Sequence, residues 1–276
     1  MFNPHHAPAA GPLDLLRSLW RHRQLIASMT RREVLGRYRG SVMGIAWSFF
    51  NPLLMLAVYT FVFSEVFQAR WAGLDAGKGQ FAVLLFVGMI VHGLFAECAN
   101  RSPSMIMSNS NYVKKVLFPL EVLPVVALGS ALFHTGISLI VLLLAQWLLT
   151  HTLYLTAIAF PLVILPLLIA TLGFSWLLAA LGVYLRDVGQ VIGVLTTVLL
   201  FLSPVLYPVA ALPAVYQPWL RLNPLTYIIE ESRNVLLFGQ WPDAQNLAVA
   251  LLISCVVAAL GFAFFQKTRR GFADVL

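Results

Sequence analysis

Residues 13–67 read LDLLRSLWRHRQLIASMTRREVLGRYRGSVMGIAWSFFNPLLMLAVYTFVFSEVF, and this stretch decides the fold class. Seven arginines lie before Gly40, opposed only by Asp14 and Glu33, and apolar residues are interleaved with them. Residues 41–64 then carry no charge. A helix with this pattern can bury one side among lipid chains and place its cations on lipid phosphates. We therefore expect an amphipathic interfacial helix over 13–40 that leads into a first membrane span.

The composition of the whole chain agrees with a membrane protein. Of 276 residues, 60% are hydrophobic and only 11% are charged, and the mean hydropathy is +0.84. A soluble domain needs more charged surface than this, and apolar runs near 20 residues match a hydrocarbon core of about 30 Å. The sequence predicts an all-α polytopic membrane protein with six spans, approximately Val42–Phe67, Phe81–Cys98, Val122–Leu149, Ile158–Tyr184, Val188–Tyr207 and Leu247–Phe265.

The basic residues predict the orientation. Fourteen of the eighteen lysines and arginines fall in the arm, the segment 99–121, the connection at Arg186 and the tail. The positive-inside rule then places both termini in the cytoplasm. A net charge of +7 is also typical of nucleic-acid binding, but clustering in short flanks of apolar spans fits membrane topology better. We divide the chain into a disordered leader (1–12), the arm (13–40) and a membrane domain (41–276) that ends in a cytoplasmic tail (266–276).

Two connections between the predicted spans are unusual. The segment 101–121 is rich in serine and asparagine and is long enough for a short helix that touches a partner, although an ordinary solvated loop is the alternative. The segment 206–243 contains five prolines yet is strongly apolar. Proline ends helices, and non-helical backbone at membrane depth must be buried in protein or line a cavity. We expect two short re-entrant helices here, with a turn near Asn223-Pro224.

The chain has no motif for catalysis or nucleotide binding. It lacks the phosphate-binding GxxxxGK[ST] loop, HExxH and GxSxG, and its two cysteines, Cys98 and Cys255, have no metal-ligand spacing. Ionisable residues within the spans are few, namely His92, His134 and Glu97. Ion-coupled carriers usually place acids or bases in mid-membrane. The sequence therefore predicts no catalytic residue, no metal site and no energy source in this chain.

Aromatic residues in the first span are candidates for a substrate pathway. Tyr59, Phe63 and Phe67 recur at i, i+4 and i+8 and so share a helix face. They indicate either an interfacial belt and core packing or a stacking surface for sugar rings, since a polar polymer cannot cross bare hydrocarbon. The candidate channel residues are Trp47, Phe50, Tyr59, Phe63 and Phe67.

Several sequence blocks match a known family. They are TRREVLGRYRGSVMGIAWSFFNPLLMLAVYTFVF at Thr30–Phe63, YLRD at Tyr184–Asp187, LSPVLYP at Leu202–Pro208 and NPLTYIIEESRNVLLFG at Asn223–Gly239. From about Leu13 onward the chain resembles the membrane subunit of type-2 ABC exporters of cell-surface polysaccharide, which comprise O-antigen, capsule and teichoic-acid exporters. The O-antigen branch is the most similar.

This resemblance implies a homodimer in a bacterial inner membrane, with a channel between two six-helix subunits. Two copies of a separate ATPase would bind ATP and Mg, so this chain would need no cofactor. The substrate would be a polysaccharide on undecaprenyl pyrophosphate. The residues that would couple to the ATPase are Arg101, Ser108, Asn109, Asn111, Tyr112, Lys114 and Lys115. The outer gate would comprise Tyr216, Trp219, Asn223, Tyr227, Glu230 and Arg233.

Four arginines of the arm are candidates for binding the lipid pyrophosphate. Arginine binds phosphate through paired hydrogen bonds, and the four residues precede the first span directly. The alternative is that they only set topology and bind anionic lipid. The four candidates are Arg31, Arg32, Arg37 and Arg39.

Other functions of the chain stay open. A drug or small-lipid exporter with the same fold would need no long carbohydrate pathway. An integral-membrane enzyme for lipid-linked sugars would need acids near one interface, and Glu97, Glu121 and Asp187 are too sparse for this. A channel or carrier that works without ATP is the remaining alternative.

Overall fold

The computed structural model describes residues 11–66, 79–113 and 118–275, and these ranges form helices joined by turns, without a strand. The prediction of an all-α polytopic membrane protein is confirmed, because five helical stretches are long and apolar enough to span a membrane. These are Gly44–Phe63, Gln80–Ser108, Val122–Thr150, Leu155–Tyr184 and Ala244–Gly271, and a shorter apolar helix covers Val188–Phe201. Residues 1–10 of the predicted leader lie outside the described ranges.

The helices follow one another in simple order. A 3-10 turn precedes α3 at Gly44–Ala46, a π-helical turn follows it at Thr60–Val66, and a 3-10 turn at Leu155–Ala159 precedes α7. The α-helices are α1 (Pro12–Arg21), α2 (Arg23–Arg37), α3 (Trp47–Tyr59), α4 (Gln80–Ser108), α5 (Ser110–Val113), α6 (Val122–Thr150), α7 (Phe160–Tyr184), α8 (Val188–Phe201), α9 (Gln217–Arg221), α10 (Pro224–Leu237), α11 (Ala244–Thr268) and α12 (Phe272–Val275).

The predicted fifth span is wrong at its end. Helix α8 stops at Phe201 and not at Tyr207. Pro204 explains this, since proline has no N–H to donate and its ring collides with the preceding turn. At 1.5 Å per residue, the 14 residues of α8 reach only about 21 Å, which is less than the hydrocarbon thickness of about 30 Å.

The predicted loop after the second span is also shorter than expected. Helix α4 runs without a break through 29 residues to Ser108, and it includes ten residues that the hydropathy assigned to a loop. Such a helix is about 44 Å long, so it extends beyond the hydrocarbon. Arg101 and Ser108 are therefore positions on a helix, and only the later part of 101–121 leaves it.

Helix α4 lies at the centre of the bundle and α3 at its edge. In the most apolar window of each span, 72% of the α4 residues but only 6% of those around α3 are buried. Helix α7 packs against both α4 and α11. Helices α7 and α11 come together at Gly173 and Gly261, where a Cβ atom on Gly261 would meet the Gly173 carbonyl. Small residues allow this backbone approach between membrane helices.

The arm is two helices, not the single interfacial helix that was predicted. A break at His22 separates α1 from α2, and α2 packs against α6. Ser18 contacts Glu121, Thr30 lies against Gly129, and Tyr38 Oη lies 3.3 Å from His134 Nδ1. These contacts advance along α6 by 13 residues, or about 20 Å. The arm therefore runs alongside α6 over this distance.

The segment between α8 and α11 contains the two short helices predicted for it, α9 and α10. Asn223 caps α10, because its side-chain oxygen accepts a hydrogen bond of 3.0 Å from the Leu225 N–H. Leu225, Ile228 and Ile229 of α10 are buried in the core cluster that α4, α6 and α7 supply. The segment therefore returns into the protein.

Candidate functional site

Both ends of the described chain meet on one side of the bundle, which we call the arm side. Ser18 Oγ of α1 donates a hydrogen bond of 2.8 Å to Glu121 Oε1. Arg269, next to the end of α11, donates from Nη1 to Glu121 Oε2, also at 2.8 Å. Tyr184 Oη at the end of α7 donates to the Thr268 carbonyl at 2.9 Å. The arm, the segment before α6 and the tail therefore share one side, in keeping with the charge distribution.

A chain of ion pairs joins the arm to α4. Arg37 Nη1 lies 2.6 Å from Glu97 Oε1, and Arg101 Nη2 lies 2.5 Å from Glu33 Oε1. Arg101 Nη1 is also 3.7 Å from Glu97 Oε1, one helical turn away. The four charges balance, so this part of the interface is polar and neutral.

The same residues line a cavity of about 730 Å³ between α2, α4 and α6. Asn100 and Ser130 complete its polar lining, and Gly36 also borders it. A smaller cavity of about 280 Å³ adjoins it, since Glu33 and Arg101 line both. The carboxylates can accept hydrogen bonds from hydroxyl groups, and the guanidinium groups and the amide N–H can donate to hydroxyl groups or to phosphates.

The four candidate phosphate-binding arginines differ in their surroundings. Arg37 pairs with Glu97, and Arg32 donates to the Tyr112 hydroxyl at 3.1 Å, a hydrogen bond that raises the pKa of Arg32. Arg31 and Arg39 are exposed. Neither guanidinium group has a hydrogen-bonding or ionic partner in the part of the chain that the structure describes. These two keep their full capacity for an anion.

The candidate coupling residues occupy three local structures. Arg101 and Ser108 belong to α4, and Asn109 follows it directly, with Nδ2 donating to the Met105 carbonyl at 2.9 Å. Asn111 and Tyr112 belong to α5. Lys114 and Lys115 lie outside the described residues. Arg101 pairs with Glu33 of the arm and with Glu97 of its own helix, a role that its place in the sequence did not indicate.

Glu121 makes more contacts than its place in the sequence predicts. Besides its bonds to Ser18 and Arg269, its backbone carbonyl accepts from Trp176 Nε1 at 3.0 Å. Its side chain is 9% exposed, less than either other carboxylate in the ion pairs. A usable signal was present, because an acid at the start of an apolar helix is costly unless something pairs with it.

The aromatic residues of the first span divide into two groups. Trp47 and Phe50 are exposed and lie edge to face, with ring centroids 6.4 Å apart. Tyr59 and Phe63 pack against the core, and Phe63 stacks on Phe81 at 5.5 Å. Phe67 lies outside the described residues. Within one subunit, Tyr59 and Phe63 thus contribute to packing, whereas Trp47 and Phe50 remain available to a neighbour or a substrate.

The candidate gate residues are also placed differently from one another. Tyr216 and Trp219 are exposed at 60% and 73%, and Asn223 is the cap of α10. Tyr227 and Glu230, one turn apart on α10, are partly buried.

Arg233, the last gate candidate, is only 3% exposed. Its Nε donates to the Leu84 carbonyl of α4 and its Nη2 to the Val205 carbonyl, both at 3.0 Å. A Cβ atom on Gly88 would lie 3.1 Å from this guanidinium, so the glycine makes room for it. Arg233 therefore fastens α10 to α4 and to the turn that follows α8.

The two histidines within the spans have structural surroundings. His92 Nε2 lies 3.0 Å from the Thr196 carbonyl of α8, and His134 contacts Tyr38. Across residues 11–66, 79–113 and 118–275, no three His, Cys, Asp or Glu residues are grouped so that they could hold a metal ion.

Comparison with known proteins places these features in a family. The profile described as "ABC-2 type transporter" matches residues 24–237. The chain is similar to the O-antigen export system permease protein RfbA of Myxococcus xanthus, with 30% identity over 95% of this chain and 99% of that protein. It is 25% identical to an RfbA permease of Klebsiella pneumoniae, over 91% and 95% of the two chains. It is 23% identical to the polysialic acid transport protein KpsM of Escherichia coli, over 87% and 92%. The chain belongs to the ABC-2 type transporter family, as a membrane-spanning transport subunit and not an enzyme.

Proposed function

We propose that this protein is the membrane subunit of an ATP-driven exporter of polysaccharide of the O-antigen type across the bacterial inner membrane. The observation that carries this proposal is the nearly full-length similarity to an O-antigen export permease, at 30% identity over 269 residues. The substrate would be linked to undecaprenyl pyrophosphate and would come from the cytoplasm. The exposed Arg31 and Arg39 suit its pyrophosphate, because guanidinium groups bind phosphate oxygens through charge-assisted hydrogen bonds.

A channel at the seam of a homodimer fits the surface of the subunit. The first span is hardly buried by its own chain, and α8 exposes Val191, Val194 and Leu195. Both helices also expose an amide side chain on an otherwise apolar stretch, Asn51 on α3 and Gln190 on α8. Amides facing lipid are costly, and they favour contact with protein or with a water-filled pathway. A second copy of the chain packed against α3 and α8 would supply both the protein contact and the water-filled pathway.

The energy would come from a separate ATPase bound on the arm side, which would face the cytoplasm. Exposed arginines of the arm and the basic tail lie on this side, as the positive-inside rule requires. Closure of the ATPase around ATP would push on α5 and on the arm. Nucleotide can open the channel only if these contacts differ between the closed and open states. The polymer would then move stepwise past Trp47 and Phe50.

The test is deletion of the gene in a strain that has no second exporter of the same polymer. We expect surface polysaccharide to disappear and lipid-linked polymer to accumulate inside the cell, and the intact chain supplied on a plasmid should restore export. Normal surface polysaccharide after deletion would contradict the proposal. It would favour an exporter of drugs or small lipids with the same fold.

A further inference from the structure

Two distant parts of the chain hold the segment that contains α5. Tyr112 of α5 stacks on Phe118 with ring centroids 4.3 Å apart and planes within 9°. Arg32 of the arm donates to the Tyr112 hydroxyl at 3.1 Å, and Arg269 of the tail donates from Nη2 to the Phe118 carbonyl at 2.9 Å. The stacked pair is therefore held on one side by the arm and on the other by the tail.

Glu121 joins these two supports. It accepts from Ser18 of α1 with one carboxylate oxygen and from Arg269 with the other, each at 2.8 Å. Its side chain is 9% exposed and that of Arg269 is 24% exposed, so this is the most buried ion pair among those found in the described ranges. Burial matters because exposed ion pairs are screened by water and salt and hold little in place.

The tail is itself fixed to the membrane domain. Phe272 is fully buried, with its ring 5.5 Å from that of Phe265 on α11. The Tyr184 hydroxyl of α7 holds the Thr268 carbonyl next to Arg269. The guanidinium of Arg269 thus has its position set by α7 and α11. Its hydrogen bonds to Glu121 and to the Phe118 carbonyl, together with the Phe118–Tyr112 ring stack, connect that position to α5.

We infer that Arg269 and Glu121 are positioning residues for the surface on which the ATPase docks. Through them, a push on α5 moves the arm and the last span together with α4 and α6. Without them, α5 would move on its own, and its movement would not be transmitted to the membrane-spanning helices. The inference rests on the proposed function, in which α5 contacts the ATPase, and it gives the C-terminal tail a part in coupling.

The first experiment needs no ATPase. A spin label is placed at the exposed Asn111 as Asn111→Cys in a Cys255→Ser background, since the remaining Cys98 is buried. In lipid nanodiscs, Arg269→Gln and Glu121→Gln should make the label more mobile. Arg270→Gln is the matched control, because Arg270 is exposed and has no partner in the described part of the chain. Equal label mobility in Arg269→Gln and Arg270→Gln would overturn the inference. If Glu121→Gln does not fold, the comparison of Arg269→Gln with Arg270→Gln is sufficient to test the inference.

The second experiment adds the ATPase and measures polymer exported per ATP hydrolysed in proteoliposomes. Arg269→Gln should assemble with the ATPase and hydrolyse ATP. We expect the polymer exported per ATP to fall by roughly fivefold or more. Arg269→Lys, which keeps the charge, should recover part of the loss, and Arg270→Gln should match the unaltered chain. A mobile label with unchanged export per ATP would overturn the coupling role. Failure of the unaltered chain to export polymer would instead count against the proposed function, and the label would still decide whether the pair positions α5.

Discussion

Arg233 is the residue on which the attachment of α10 depends. It is almost wholly buried and supplies donors to two backbone carbonyls, those of Leu84 and Val205, that belong to different elements. A hydrogen bond that involves a charged group contributes about 1.5–3 kcal/mol. In the sequence, Arg233 counts as a loop charge on the far side of the membrane, but the structure uses it inside the protein.

Replacement of Arg233 by methionine should destabilise the protein. Methionine keeps much of the side-chain volume but leaves the two carbonyls without these donors, so we expect the free energy of unfolding to fall by about 2–4 kcal/mol. Unfolding in mixed detergent micelles with increasing dodecyl sulfate measures this change. The control is Arg221→Met, because Arg221 is exposed. Equal midpoints for the two variants would show that the bonds of Arg233 contribute nothing.

The candidate arginines of the arm differ in whether a side-chain partner holds them, and we propose that the two without one bind the lipid pyrophosphate. Glu97 already pairs with Arg37, whereas Arg31 and Arg39 are exposed. Reversal of both exposed charges, Arg31→Glu with Arg39→Glu, should weaken binding of undecaprenyl pyrophosphate roughly tenfold or more, since each lost charged hydrogen bond is worth about 1.5–3 kcal/mol.

Binding of radiolabelled lipid in nanodiscs gives the dissociation constant for this variant. Arg269 is unsuitable as a control because it is paired, so Arg270→Glu with Lys267→Glu serves, which changes the net charge equally at two exposed residues. If both double variants lost affinity to the same extent, the effect would be general electrostatics and not a site. An inverted topology in the arm variant would support a role in topology alone.

At the scale of helices, hydropathy located the membrane-spanning parts but not where each helix ends. It marked the polar residues after Cys98 as a loop, yet α4 continues to Ser108. The pairs of Arg101 with Glu33 and Glu97 give polar residues a reason to stay helical. Conversely, apolar character carried the predicted fifth span past Pro204, where backbone chemistry ends α8.

Ion pairs between residues that are far apart in the chain could not be predicted from the sequence. Arg37 was assigned to lipid phosphate and Arg101 to the ATPase, but both belong to one ion-pair chain that crosses from α2 to α4. Glu121 was considered only as a possible catalytic acid. Partners 60 or more positions apart are set by tertiary packing, which a single sequence does not display.

The contact of α7 with α11 gives a stability prediction. Gly261→Ala should destabilise the protein by about 1–3 kcal/mol, because the new Cβ meets backbone of Gly173 that cannot rotate away. This should occur although alanine favours helix by up to about 1 kcal/mol. Gly136→Ala on α6 is the matched control, since a Cβ there has no atom within 4 Å. The melting temperatures of the two variants are compared by thermal unfolding in detergent. Equal melting temperatures would show that the close contact of α7 with α11 at Gly261 does not contribute to stability.

For the whole molecule, the uneven burial of the spans is the main feature. Helix α4 is enclosed by its own chain, while α3 and α8 turn apolar surface and occasional polar groups outward. In lipid, apolar exposure alone does not drive association, and close backbone packing at small residues contributes instead. Gly189 and Gly193 are four residues apart on α8, next to the exposed Gln190 and Thr197, and so offer such a place on the proposed seam.

Gly193→Leu should therefore weaken the proposed dimer while leaving each subunit folded. A Cβ atom at this position has no atom of the single chain within 4 Å, so we expect the melting temperature of the subunit to stay unchanged. A larger side chain forced into a packed contact costs about 1–3 kcal/mol, so the dimer dissociation constant should rise roughly tenfold. Fluorescently labelled protein, diluted stepwise with lipid and counted by single-molecule photobleaching, measures it. Ala248→Leu, at an exposed small residue on α11, is the control. An unchanged dissociation constant in Gly193→Leu would remove α8 from the seam, and loss of export without loss of the dimer would place Gly193 on the polymer's path.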